Sequence, residues 1–163
     1  MNIGILENGE LRIDQIDEFA AMLFRELPGI ASSGGELADE RIYQTPTGGK
    51  DEELDSDWRD MVEPELRELF ASALDLVVED MAGLASDEES GLHLTIPSSH
   101  SEAWLHTLNR ARLVLGTEWD VTEDDMDSGY SVTTGDPERT MAILKIDFYG
   151  MLLEFFVRLR WEE

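Results

Sequence analysis

Between residues 138 and 160, Met141, Leu144, Phe148, Met151, Leu152, Phe155, Phe156 and Leu159 recur at helical spacing and cover a wide part of the circumference. A helix that is apolar over so much of its girth has to be surrounded by other elements. This segment therefore predicts a bundle built around a central C-terminal helix. Part of the same surface could instead form a dimer interface, so a monomer and a homodimer both remain open.

Other segments supply what would pack on it. Ile16, Phe19, Ala20, Leu23 and Leu27 have helical spacing, with Asp14 as the expected N-cap and Pro28-Gly29 as the expected stop. Pro64 suits the first turn of a second helix with the stripe Leu66, Leu69, Phe70, Ala73, Val77 and Met81, closed by Gly83. Ser99 and Glu102 read as a capping box for a third helix that runs to Gly116, with Trp104, Leu108, Ala111 and Leu115 on one face.

Strands are expected at the start and before the third helix. Ile3 to Leu6 and Glu10 to Ile13 flank Asn8-Gly9, the dipeptide of tight hairpins. A two-residue loop would pair Leu6 with Leu11 and Ile5 with Arg12, placing Leu6, Leu11 and Ile13 on one inward face. Leu92, Leu94 and Ile96 alternate with His93 and Thr95 as a third strand, His93 pointing outward. Residues 31–57 carry Gly, Ser and Pro clusters without a sustained period and are read as a long loop, mobile in parts, with Trp58 pinning its far end. Thr122 begins a short acidic helix or turn, and Gly129 and Gly135-Asp136-Pro137 bracket a loop. The predicted architecture is a mainly helical α+β single domain over 1–163, about four helices around the last one, with about three antiparallel strands.

Charge limits the partners. The 37 acidic and 12 basic residues give a net charge of −25, with Lys50 and Lys145 the only lysines. Such a surface repels phosphate backbones and anionic lipids, so neither nucleic acid nor membrane binding is expected. The longest apolar stretches are interrupted by Asp147, Glu154 or Arg158, too soon for a membrane span. There is no Cys, which excludes disulfides and thiolate chemistry, and no basic segment followed by a long apolar run opens the chain. A soluble cytoplasmic protein is expected.

Motif chemistry is sparse. Gly48-Gly49-Lys50-Asp51 lacks the upstream Gly and the Ser or Thr of a phosphate-binding loop. Setting Glu123, Asp125 and Asp127 as the first ligands of a calcium loop leaves Ser128 where Gly is required and Thr134 in place of the bidentate Glu. His100, Glu102 and His106 could approach one another, and two His with one carboxylate can hold zinc or iron, but nothing fixes a third ligand. They are read as a solvated helix face, with no metal and no cofactor expected. Asp147 interrupts an apolar face, and Arg112 lies one turn from Leu108 and Leu115. Charges in a core are normally paired, so Arg112 is expected to bridge to Asp147, with Asn109 capping a buried backbone group nearby.

The third helix also resembles a known family. Glu102-Ala103-Trp104-Leu105, Leu108-Asn109, Arg112-Leu113 and Leu115-Gly116-Thr117 are similar to the hallmark helix of a bacterial domain of unknown function, the one numbered two thousand and seventeen. Leu11-Arg12-Ile13-Asp14, Val121-Thr122-Glu123-Asp124 and the Asp147 helix ending Phe155-Phe156-Val157-Arg158 resemble further parts of it in the same order. The resemblance spans most of the chain except 31–57. It implies a mostly actinobacterial family without an established activity. Its genes often lie near that of the adaptor feeding the Clp protease, which implies a cytoplasmic regulatory or adaptor role. Members of the family are richer in Arg, so a role resting on a basic surface does not carry over.

The function expected is therefore a non-catalytic protein-interaction or regulatory domain for a protein partner, basic or linked to Clp proteolysis. Residues 31–57 or 118–136 would be its contact surface. The alternative is a small-molecule-binding domain or enzyme with a polar site at Arg112 and Asp147.

Overall fold

The computed structural model describes residues 1–127 and 136–160, without the side chains of 127, 159 and 160. The expected loop between Gly129 and Gly135, and the side chain of Leu159, lie outside the described residues.

Strands β1 (Asn2–Ile5) and β2 (Leu11–Asp14) form the opening hairpin. Its loop holds three residues, not two. The Gly9 N–H donates to the Leu6 carbonyl at 2.9 Å and the Leu6 N–H to the Glu10 carbonyl at 2.8 Å. Gly9 takes the left-handed conformation at φ 84° that such a loop needs, and the Asn8 side chain accepts from the Glu10 N–H. The extra residue shifts the register by one, so Ile5 faces Leu11 and Ile3 faces Ile13, while Leu6 is left exposed. On the other edge of β2, strand β4 (Gly91–Ile96) pairs Leu11 with Ile96 and Ile13 with Leu94, making one buried apolar face. A fourth strand, β3 (Ala85–Asp87), pairs with β4 and completes the antiparallel order β1-β2-β4-β3. It is polar and exposed, so no alternation announced it.

Helix α1 (Glu18–Ser32) begins later and ends later than expected. Asp17, not Asp14, caps it by accepting from the Ala20 N–H at 2.8 Å, because Asp14 is still paired with Asn2 in the sheet. Pro28 sits inside the helix. It removes one N–H, but the buried stripe Leu23, Phe24, Leu27 and Ala31 continues past it, and packing holds the last turn.

Residues 31–57 are not one loop. Helix α2 (Glu36–Ile42) and the start of α3 (Glu52–Met61) lie there. Each buries only one side chain, Ala38 and Asp55, so neither leaves an apolar period to read. Trp58 is only half-buried and the connection is fastened by Asp55. That carboxylate accepts from the Thr47 N–H at 3.0 Å and the Gly49 N–H at 2.7 Å.

Helix α4 (Glu63–Ala82) has Pro64 in its first turn and ends at Gly83, as expected. A single 3-10 turn, Ser98–His100, precedes α5 (Ser101–Glu118), so the expected Ser99–Glu102 capping box does not form. Gly116 does not stop α5. Its carbonyl accepts from the Val121 N–H at 3.0 Å while Asp120 takes the left-handed position at φ 45°. Helix α6 (Glu123–Asp127) starts after Thr122, as expected, and α7 (Pro137–Arg160) closes the chain.

The C-terminal helix lies centrally, packed along α5, which in turn touches α1, α2 and α4. Its innermost residues are Ala142, Ile146, Tyr149, Leu152 and Phe156, whereas Met151 is exposed. Trp104 stacks on Phe156 with ring centroids 5.8 Å apart, and the Tyr149 hydroxyl donates to the Leu23 carbonyl at 2.8 Å. Burial pushes the Tyr149 hydroxyl's pKa well above its ordinary value. The result is a mainly helical α+β fold with a small antiparallel sheet. Among the described residues no helix is long and apolar enough to cross a membrane.

Candidate functional site

The polar side chains of α5 point in three directions, and each direction meets a different environment. The first is the core. Trp104 is fully buried, and its indole Nε1 donates to Asp80 Oδ2 at 2.8 Å. His100 Nδ1 lies 2.9 Å and 3.1 Å from the two oxygens of the same carboxylate. Asp80 comes from the inward face of α4, one turn beyond Val77. Reasoning that singles out a carboxylate in an apolar stripe could have found it, just as it found Asp147.

The second direction is a groove of about 220 Å³ between the C-terminal end of α1, α4 and α5. Arg110 reaches across it, donating from Nε to the Ala31 carbonyl at 2.6 Å and from Nη1 to the Tyr43 hydroxyl at 2.7 Å. Arg67 lies over the Tyr43 ring at 4.0 Å from its centroid and is paired with Asp39 at 3.2 Å and Glu63 at 2.8 Å. His106 meets Phe70 edge-on at 5.6 Å between centroids. Arg67 and Tyr43 also border a wider surface hollow of about 890 Å³ beside α2 and the 43–51 turn. Sequence reasoning missed Tyr43, Arg67 and Arg110, since α2 itself was not seen.

The third direction is a cleft of about 370 Å³ between α2, α5 and α6. Asn109, Arg112, Leu113 and Gly116 line it from α5, their i, i+3, i+4, i+7 spacing putting them on one side of the helix. Arg41 enters from α2, and Val121, Glu123 and Met126 from the far side.

The expected bridge between Arg112 and Asp147 is not formed. Among the described residues Arg112 has no ion pair, and its Nε is buried without a hydrogen-bond partner. The residue of α7 that lies against its guanidinium is Gly150; a Cβ built there would sit 3.4 Å from Arg112 Nε. Asp147 is half-buried and does not line the cleft. Asn109 is exposed rather than capping buried backbone. The stripe on α5 was legible, but not which residue of α7 stands at the height of Arg112.

The His100, Glu102 and His106 set is not brought together either. His100 turns to Asp80 and His106 to Phe70, and Glu102 lies 3.9 Å from His106 alone. Among the described residues no group of three His or carboxylate side chains is placed to hold a metal ion. His93 is half-buried, its Nδ1 3.1 Å from the Gly91 carbonyl and 3.4 Å from Asp87.

At the end of α5 the acidic segment is itself tied down. Asp125 accepts from both terminal guanidinium nitrogens of Arg139, at 3.1 Å and 2.7 Å, and also from the Thr122 N–H at 2.8 Å. The Arg139 bonds, followed by that of Thr122, hold its pKa well below the usual carboxylate range.

The geometry defines a mainly helical α+β protein with two clefts bordered by α5. The chain belongs to the family described as a domain of unknown function (DUF2017), whose sequence model matches residues 9–159. No curated protein and no solved structure matches the chain.

Proposed function

We propose that the protein is a cytoplasmic, non-catalytic interaction domain that docks a basic partner on its α3–α4 face. The observation that carries this reading is the apolar stripe left uncovered on α3. Leu54, Trp58 and Met61 recur at i, i+4, i+7, yet Leu54 is 48% and Met61 70% exposed. Val62 and Leu69 continue the exposed apolar surface onto α4. Around them stand Glu52, Glu53, Asp57, Asp60, Glu65 and Glu68. Apolar side chains inside an acidic field suit a partner helix with an apolar face and Lys or Arg at its margins.

The test is capture of partners from host lysate by the wild type and by a Leu54→Asp, Met61→Asp double variant, at low and moderate salt. A protein held by the wild type, released by salt and absent from the variant is the expected result. The genomic neighbourhood implied by the family resemblance makes components of Clp proteolysis the first to look for. Identical captures by both proteins, with equal melting temperatures, would count against this face.

A further inference from the structure

We propose that the cleft between α2, α5 and α6 binds a small amphiphilic oxyanion, a carboxylate or phosphate group on an apolar body. The guanidinium groups of Arg41 and Arg112 hold the charged end. The proposal does not depend on the α3–α4 face.

The argument starts from the pairing of arginines. In a chain with 37 acidic and 12 basic residues, a carboxylate is the default neighbour of any guanidinium. Arg12, Arg67, Arg110, Arg139 and Arg158 each have one, and among the described residues the exposed Arg25 and Arg59 do not. Arg112 does not, although it is half-buried and its Nε is cut off from solvent. Its Nε is closed off against Gly150, but its terminal nitrogens are not buried, and with no carboxylate beside them they are open to an acceptor from outside. Arg41 is likewise without an ion pair among the described residues and lines the same cleft. Two arginines lining one cleft supply the positive charge that an oxyanion requires, and Asn109 lines it with them.

The rest of the lining sets the body of the ligand. Leu113, Val121, Met126 and Ile146 make the apolar part of the cleft. Its volume of about 370 Å³ suits a small molecule rather than a folded partner. Gly116, on the same wall, adds no side-chain bulk to the space. Glu123 is also in the wall and opposes an anion.

The test is titration calorimetry of the full chain with octanoate and with octyl phosphate, using octanol as the uncharged control. Saturable binding of at least one anion but not of octanol is expected. Arg112→Gln and Arg41→Ala should each weaken it by roughly tenfold. Glu123→Gln should tighten it. Preference for one anion identifies the headgroup and supports the site either way. Binding of neither anion, equal binding of octanol, or anion binding that survives Arg41→Ala unchanged overturns the proposal. Arg41 is exposed, so this last variant decides the matter even where Arg112→Gln fails to fold.

Discussion

Trp104 and Asp80 join α5 to α4 by a hydrogen bond of 2.8 Å between an indole N–H and a carboxylate at the centre of the fold. The ring itself is held independently, stacked on Phe156 and edge-on to Phe24. Trp104→Phe therefore keeps an aromatic ring in the core but leaves Asp80 with one donor fewer. A hydrogen bond to a charged group contributes about 1.5–3 kcal/mol, and a loss of that size is expected in urea unfolding. A change below about 0.5 kcal/mol would show that water replaces the indole N–H.

Gly150 offers a change in the opposite direction. It lies within α7, where Gly costs about 0.5–1 kcal/mol relative to Ala. The added methyl would meet Arg112 Nε at 3.4 Å and Cζ at 3.5 Å, ordinary contacts with a side chain that can yield. Gly150→Ala should therefore stabilise by about 0.5–1 kcal/mol, read as a rise in melting temperature. Gly150→Leu should destabilise by about 1–3 kcal/mol, because it drives the guanidinium from its place. Destabilisation by the alanine would mean that Arg112 is rigidly held.

The same helix shows where sequence reasoning stops. The apolar periods of α1, α4, α5 and α7 and the alternation of β4 were legible because each buries a face against the core. Helices α2 and α3 were not, since Ala38 and Asp55 are all they bury. The hairpin was legible but its register was not, because Asn-Gly occurs in both two-residue and three-residue loops. At the candidate site, the spacing of Trp104, Leu108 and Ala111 gave the buried side of α5. It could not give the relative height of α5 and α7, and that height puts Gly150 rather than Asp147 against Arg112. Long-range pairs such as Arg110 with Tyr43 leave no local pattern at all.

Asp55 predicts a local effect. Its carboxylate gathers the Thr47 and Gly49 N–H groups, closing the 43–51 turn onto α3. Burial pushes its pKa up, but the Thr47 and Gly49 bonds outweigh that and hold it below the usual range. Asp55→Ala should open this turn without unfolding the core. Tryptic cleavage after Lys50, inside the turn, should accelerate roughly tenfold while other sites keep their rates. Uniform acceleration at all sites would mean that Asp55 supports the whole fold instead.

The pairing of Asp125 with Arg139 gives the pH dependence. Its folded pKa is depressed below the unstructured value of 3.8 by Arg139 first and Thr122 second. A depressed carboxylate contributes all of its stabilisation above the unfolded pKa and loses it as pH falls from there toward the folded pKa. Acidification also relieves the mutual repulsion of a chain carrying −25, which works the other way, so wild-type melting alone would mix the two. Comparison with Asp125→Asn separates them, because the other carboxylates are common to both proteins. The wild type should melt higher at about pH 7, and the gap should close as pH falls below 3.8. Arg139→Lys should reproduce part of the neutral-pH loss, since an ammonium cannot span both oxygens as the guanidinium does. A gap that persists unchanged in acid would show that Asp125 acts through the Thr122 turn and not through its charge.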